Sequence, residues 1–261
     1  LQVGRLELMT GIKERRFWGN GYRASEASAE AGKKLLQDGT INPQEVDLLI
    51  HSAVCRDRLE PATASYVHKL MGLGDNTQIL DVSNACLGFL NALILAGSMI
   101  EQGAIKRAII VAGENGKPLV DQTIDILNGA NMDRKSIKPY FANLTIGAGA
   151  VAWSITCDDS SSSEKPRLAQ FASSTDTSHN HLCEGDQSVG GMVMQTDSEE
   201  LLHAGISVAK KAWNKFLEVT HWSAEKPDLI VTHQVGKAHQ QEIEKALSYD
   251  PSKSFTTFQS L

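Results

Sequence analysis

An α/β architecture is predicted by three observations in this 261-residue chain. Short apolar runs of strand length recur along it. Proline-poor segments rich in Ala, Leu and Lys, long enough for helices, alternate with those runs. A helix–loop–strand unit also occurs twice. The first copy has a helix over Ser25 to Leu36, a turn at Asn42-Pro43 and the strand Asp47-Leu-Leu-Ile-His51. The second has a helix over Glu199 to Leu217, a polar loop from Ser223 to Pro227 and the strand Asp228-Leu-Ile-Val-Thr-His233. The repeat predicts an internal duplication, with His51 and His233 at comparable strand ends.

The other elements follow from local pattern. Thr77-Gln-Ile-Leu-Asp81 reads as a buried strand, followed by a helix from Leu87 to about Glu101. Arg107 to Ala112 and Ala148 to Thr156 are continuous apolar runs of the kind buried on two faces. A helix is expected to begin at Pro61, a favoured first position, and another near Lys237. Leu119 to Tyr140 has weak periodicity and scattered charge, and reads as an excursion or cap over the core. Residues 158–166 are polar and serine-rich, which marks them as a linker between halves at 1–157 and 167–261.

Composition narrows the function classes. The chain is 41% hydrophobic and 21% charged with a net charge of −6, and no Lys/Arg-rich run argues for nucleic acid. The most apolar stretch, Phe89 to Ile100, is too short for a membrane span, and no signal peptide is visible. Cys55, Cys86, Cys157 and Cys183 are widely scattered, which fits a reducing cytoplasm. Leu1 is not an initiator methionine, so further residues are expected upstream.

Cys86 falls where the strand ending at Asp81 hands over to a helix. The partial positive charge and unpaired N–H groups of a helix start favour thiolate, which suits a nucleophile. A buried core cysteine is the plainer alternative. His233 follows the end of a strand, and an imidazole there can donate to an oxyanion or shuttle a proton; a histidine satisfied by backbone groups fits equally. Glu60 suits a general base if partly buried, or a carboxylate complementing a helix start. Gly147-Ala-Gly-Ala150 precedes its strand and so is no phosphate fingerprint; Gly147 and Gly149 would instead let backbone approach the nucleophile. His179-Asn-His-Leu-Cys183 offers three metal ligands where structural zinc takes four, so a loop near the active site is favoured and no metal is expected. Arg15 and Arg16, in Gly11-Ile-Lys-Glu-Arg-Arg-Phe-Trp18, suit a phosphorylated ligand or a solvated turn.

Asn84-Ala-Cys-Leu-Gly-Phe89, Gly147-Ala-Gly-Ala150 and His233-Gln234 resemble, in order and spacing, the thiolase superfamily in its 3-oxoacyl-ACP synthase III branch. Thr10-Gly-Ile-Lys-Glu-Arg-Arg16 resembles that branch's amino-terminal segment. Within the branch, the segments Cys55 to Ser65 and His179 to Cys183 look most like the enzymes that join two fatty acyl-CoAs head to head. The resemblance implies a five-layer αβαβα fold of two pseudo-symmetric halves and a homodimer. It implies that Cys86 is acylated and that His233, with an asparagine, binds the thioester oxygen of the second substrate. Glu60 matches a glutamate that reaches into the partner subunit's site as base, and Asn84 belongs to the nucleophile motif. The expected Gly-Asn pair would follow Leu261, and Arg5 and Met9 stand where the branch has a tryptophan and an arginine on CoA.

The reaction so implied is a Claisen condensation with acyl-CoA or acyl-ACP as substrates and no other cofactor. Decarboxylative condensation with malonyl-ACP is the main alternative, and an acyl carrier protein is then a partner. A Cys-His thioester hydrolase and a non-catalytic acyl-binding homologue are further rivals.

Overall fold

Leu48, Leu49 and Ile50 have no exposed surface. Successive side chains of a strand point to opposite faces, so such a run needs cover on both. In this computed structural model, which describes residues 3–129, 132–157, 166–188 and 191–260, helices supply that cover. Along the chain the helices are α1 (Arg5–Thr10), α2 (Ala24–Leu36), α3 (Thr63–Met71), α4 (Gly88–Glu101), α5 (Lys117–Gly129), α6 (Arg134–Ile137), α7 (Ser198–Thr220) and α8 (Lys237–Leu247). The strands are β1 (Leu48–His51), β2 (Gln78–Asp81), β3 (Arg107–Asn115), β4 (Ala148–Thr156), β5 (Cys183–Ser188) and β6 (Gly191–Thr196).

The chain divides into two units, one of which comprises residues 17–115 with 148–168. Its sheet has the order β2-β1-β3-β4, with β1 parallel to β2 and β3, and β4 antiparallel to β3. Leu49, Ile109 and Val111 point to one face, against Ala29 of α2 and Val67 and Met71 of α3. Leu48, Ile50, Ala108 and Ile110 point to the other, against Ala92, Leu93 and Ala96 of α4. This unit is therefore three layers, helix on sheet on helix, and the parallel strands all end on one side. The loops that follow β1 and β2 on that side carry Glu60 and Cys86.

Three expectations need correction here. β2 is not buried: Ile79 and Leu80 are 37% and 39% exposed, because β2 is an edge strand in this sheet. β4 occupies the opposite edge, and Val151 and Trp153 are likewise open at 40% and 53%. Helix α3 begins at Thr63 rather than Pro61 because its first N–H groups are capped from a distance, by the Asp81 carboxylate.

The second unit comprises residues 3–16, 116–147 and 169–260. The excursion expected at Leu119–Tyr140 folds here into α5, α6 and a short 3-10 turn, and β5 and β6 form an antiparallel hairpin. Buried Asn143 ties these together, its amide donating to Thr123 Oγ1 at 3.0 Å and Met194 O at 2.9 Å. Asp197 caps α7 by accepting from the N–H groups of Glu199 and Glu200. The strand expected over Asp228–His233 does not form. Only Ile230 bridges to Ser254, its N–H donating to Lys253 O at 2.8 Å and its carbonyl accepting from Phe255 N at 3.0 Å. Strand propensity without a ladder partner on more than one residue leaves an extended segment. Of the expected 158–166 linker, residues 158–165 lie outside the described residues.

Candidate active site

Between β2 and α4 the backbone makes a tight elbow. Ala85 takes φ 44°, a left-handed conformation costly for a residue with a Cβ, on the order of 1 kcal/mol or more. Leu87 N donates to Asn84 O at 3.0 Å and Gly88 N to Ala85 O at 3.2 Å, closing the turn. These two N–H groups are therefore committed to the elbow. Gly88 is buried, and a Cβ there would stand 2.8 Å from Ser52 Oγ, so glycine lets α4 start this close to the end of β1. The result holds Cys86 exposed on the elbow, two residues ahead of α4. Asn84 sits beside it, its amide donating to Asn91 Oδ1 on α4 at 2.7 Å.

The loop from β1 to α3 carries Glu60, and three carboxylates pin it down. Glu114 accepts from Val54 N at 2.7 Å and Cys55 N at 3.1 Å. Asp57 accepts from Ser25 N at 3.0 Å and Ser25 Oγ at 2.5 Å. Asp81 accepts from Thr63 N at 2.7 Å and Ala64 N at 2.8 Å. Glu60 differs from all three. It is exposed near the tip of the loop beside Leu59, which is 87% exposed, and its carboxylate has no hydrogen-bond partner among the described residues. The sequence expectation of a partly buried Glu60 is therefore not met within this chain. Arg58 folds back, donating to Tyr66 Oη at 2.9 Å with its guanidinium 5.3 Å from the ring centroid.

The neighbouring titratable groups are tuned away from chemistry. Burial, reinforced by Glu114, pushes the Cys55 thiol up to about 12, which keeps it protonated and inert. His51 is 1% exposed, and burial pulls its pKa down against the opposing pull of Asp81, whose carboxylate is 3.8 Å from Nδ1. His51 is thus a neutral core histidine.

In the second unit, Arg15 was a candidate phosphate contact, but its guanidinium is engaged elsewhere. Nε donates to Thr145 O at 2.6 Å, and Nη1 to Phe258 O at 2.8 Å and Glu14 O at 3.0 Å. Three carbonyls hold its Nε and Nη1, and burial lowers its pKa. Arg16 is exposed. A Cβ on Gly147 would stand 3.0 Å from Arg15 Cδ and 3.3 Å from Arg16 O, so glycine is required where that loop meets the arginine pair. Gly149, on β4, has open space where a Cβ would be, so close approach does not explain it.

Gln234 anchors the segment carrying His233. Its Oε1 accepts from Thr257 N at 2.6 Å and Phe258 N at 3.0 Å. Phe258 O is also held by Arg15, so Arg15, Gly147 and the His233-Gln234 pair belong to one connected framework. His233 presents surface to solvent, yet enough protein surrounds the ring for burial to lower its pKa. His239, on α8, is lowered by burial and then by His233. A neutral His233 suits hydrogen-bond donation to a carbonyl oxygen.

The first unit thus carries Cys86 and Asn84 on the elbow after β2, Glu60 on the loop after β1, and Gly149 on its edge strand β4. The second connects Arg15, Arg16, Gly147 and His233. Asp81, Glu114 and His239 escaped sequence reasoning, as did the anchoring role of Gln234. Gln234 stood in the motif with His233, and Asp81 left a trace as a lone charge closing an apolar strand. His179, His181 and Cys183 form no metal-binding group with other residues among those described.

Residues 80–176 match the family description 3-oxoacyl-[acyl-carrier-protein (ACP)] synthase III. An acyl-CoA:acyl-CoA alkyltransferase of Shewanella oneidensis is 35% identical, the alignment covering 100% of this chain and 76% of that protein. One from Xanthomonas campestris is 34% identical, covering 96% and 72%. A beta-ketoacyl-ACP synthase III of Neisseria gonorrhoeae is 26% identical, covering 96% and 74%. Among solved structures, Xanthomonas campestris OleA with cerulenin bound superposes with a TM-score of 0.92 at 32% identity, covering 99% of this chain and 74% of that one. An OleA cysteine-to-serine variant with lauric acid and lauroyl-CoA also reaches 0.92, at 32% identity over 99% and 75%. With a thiolase-like α/β fold and this degree of identity along its whole length, the chain belongs to the acyl-CoA:acyl-CoA alkyltransferases of the 3-oxoacyl-ACP synthase III family.

Proposed function

We propose that this chain joins two fatty acyl-CoAs head to head, by a Claisen condensation that needs no decarboxylation. One observation carries the choice of chemistry: around its loop, Glu60 is the carboxylate not engaged by backbone N–H groups. A malonyl donor makes its carbanion by losing carbon dioxide and needs no base. A plain acyl thioester must lose an α-proton, and Glu60 can take it. Identity to the alkyltransferases, 35% against 26% for the synthase III of Neisseria gonorrhoeae, supports the same choice. So do the relatives themselves, since OleA binds lauric acid and lauroyl-CoA. OleA has also been altered at a cysteine, a glutamate and a histidine. That glutamate and cysteine stand as far apart in sequence as Glu60 and Cys86 do.

In the proposed sequence of steps, the Cys86 thiolate attacks the thioester carbon of the first acyl-CoA. The tetrahedral intermediate collapses, CoA leaves as its thiolate and takes up the proton that Cys86 gave up on ionising, and acyl-Cys86 remains. Glu60 then removes the α-proton of the second acyl-CoA while His233 donates a hydrogen bond to its thioester oxygen, stabilising the enolate. The α-carbon attacks the acyl-Cys86 carbonyl, and the Cys86 thiolate departs to leave a β-keto thioester. Asn84 braces the elbow through Asn91. Gly147 seats the arginine pair, from which Arg16 meets the CoA phosphates while Arg15 holds the frame. Gly149 leaves β4 open beside the acyl group. The exposed Leu59-Glu60 tip fits a homodimer in which each Glu60 serves the partner's Cys86. The halves of the duplication, 1–157 and 167–261, then supply nucleophile and histidine respectively. A cytoplasmic setting fits the reduced cysteines and the CoA substrates.

Glu60→Gln keeps the shape of the side chain and removes its basicity. Incubated with a fatty acyl-CoA, this variant is expected to acylate Cys86 by mass spectrometry yet form no carbon–carbon bond. Normal condensation by the variant would overturn the assignment.

A further inference from the structure

Asp81 occupies a junction that the steps above do not use. It is the last residue of β2, five positions before Cys86, and its backbone is built into the sheet opposite His51. Its side chain leaves the strand and receives both leading N–H groups of α3, Thr63 at 2.7 Å and Ala64 at 2.8 Å. Those residues directly follow the Glu60-Pro61-Ala62 end of the loop. Thr63 in turn accepts from Asp57 N at 3.3 Å through its Oγ1, so the cap reaches back into the loop itself. The far end of the loop is held by Glu114, at the end of β3. The Glu60 arm is thus suspended between two carboxylates, each fixed at the carboxyl end of a strand, and one of those strands leads to the nucleophile.

We propose that Asp81 is a positioning residue, which fixes the Glu60 arm on the carboxyl end of β2 so that the arm projects in one defined direction toward the site it serves. The proposal rests on the reading of Glu60 as the base. Here each N–H has its own carboxylate oxygen, Thr63 N on Oδ2 and Ala64 N on Oδ1. An amide offers one oxygen and presents an N–H₂ to the second donor. Asp81→Asn should therefore loosen the start of α3 and displace Glu60, while leaving the elbow, closed by its own backbone bonds, in place. Misplacing a proton-transfer group by an ångström costs on the order of a hundredfold in rate.

The experiment measures two half-reactions separately in Asp81→Asn and Glu114→Gln: Cys86 acylation by a fatty acyl-CoA, and carbon–carbon bond formation from the acylated enzyme. Both variants should acylate at close to the parent rate with unchanged KM for the first acyl-CoA, and both should lose most of the condensation rate. Asp81→Glu, which keeps two acceptor oxygens, should recover part of it. Equal slowing of both half-reactions, or no recovery in Asp81→Glu, would mean that Asp81 only supports folding. Glu114→Gln keeps the test open if Asp81→Asn does not fold, since it relaxes the other end of the same loop. Glu60→Gln is measured alongside: if it condenses normally, the base assignment is wrong, an outcome distinct from any failure of Asp81.

Discussion

The segments Asp47–His51 and Asp228–His233 read almost alike, yet the structure makes opposite things of them. In the first, Asp47 accepts from Lys106 N at 2.7 Å and Arg107 N at 2.9 Å, and strands pair on both sides. Every residue of that strand is buried, and its histidine ends as a neutral core side chain. In the second, one bridge to Ser254 is all the pairing among the described residues, Leu229 and Val231 are 60% and 63% exposed, and the histidine faces solvent. A motif of Asp, apolar run and His therefore does not by itself specify a strand; its neighbours decide whether a strand forms and whether the histidine is buried or open to solvent.

The sharpest way to break that comparison is to remove each histidine. His233→Ala should cost condensation roughly 10²–10³-fold, the usual price of losing a hydrogen-bond donor to a developing oxyanion, with little change in melting temperature. His51→Ala should do the reverse, destabilising the fold by about 2–4 kcal/mol through the cavity it leaves while the folded fraction still acylates Cys86. Thermal melts and single-turnover assays on the two variants check this. If the effects are exchanged, the assignment of roles is wrong.

The apolar residues sharpen it next. Leu49→Ala, in a side chain with no exposed surface, should cost about 2–5 kcal/mol in denaturant unfolding. Leu229→Ala should cost within about 0.5 kcal/mol, as at other surface positions. A large loss at Leu229 would show that the second segment is buried in solution.

The smallest expected effect is on pH dependence. Burial lowers the pKa of His51 below its ordinary value near 6.5. The folded state then binds fewer protons than the unfolded one, so this contribution to stability is full above about pH 6.5 and is lost as pH falls through the folded pKa. His233 is shifted the same way with more of its surface open. His51→Gln should therefore flatten the fall in stability below pH 6.5 more than His233→Gln does, as denaturant titrations across that range will show.

Much of this architecture was legible in the sequence because it is local. Helices α2, α4, α7 and α8 and strands β1, β3 and β4 follow apolar pattern and the placement of proline. What escaped depends on partners far along the chain. An apolar run does not say whether it has a strand on each side, so β2 and β4 read as buried when both are edges. Pro61 looked like a helix start, but the cap comes from Asp81, beyond the whole of α3. Arg15 looked like a phosphate ligand because its carbonyl partners, Thr145 and Phe258, are remote in sequence. The nucleophile was legible for the opposite reason: the elbow around Cys86 is built by its own neighbours, Asn84 to Gly88.

Supplying one fatty acyl-CoA as the sole substrate distinguishes joining without decarboxylation from the malonyl route. The expected outcome is a β-keto product whose mass contains both acyl chains complete, formed with no carbon dioxide released. Product that appears only when malonyl-ACP is added, with carbon dioxide evolved in equal amount, would contradict it.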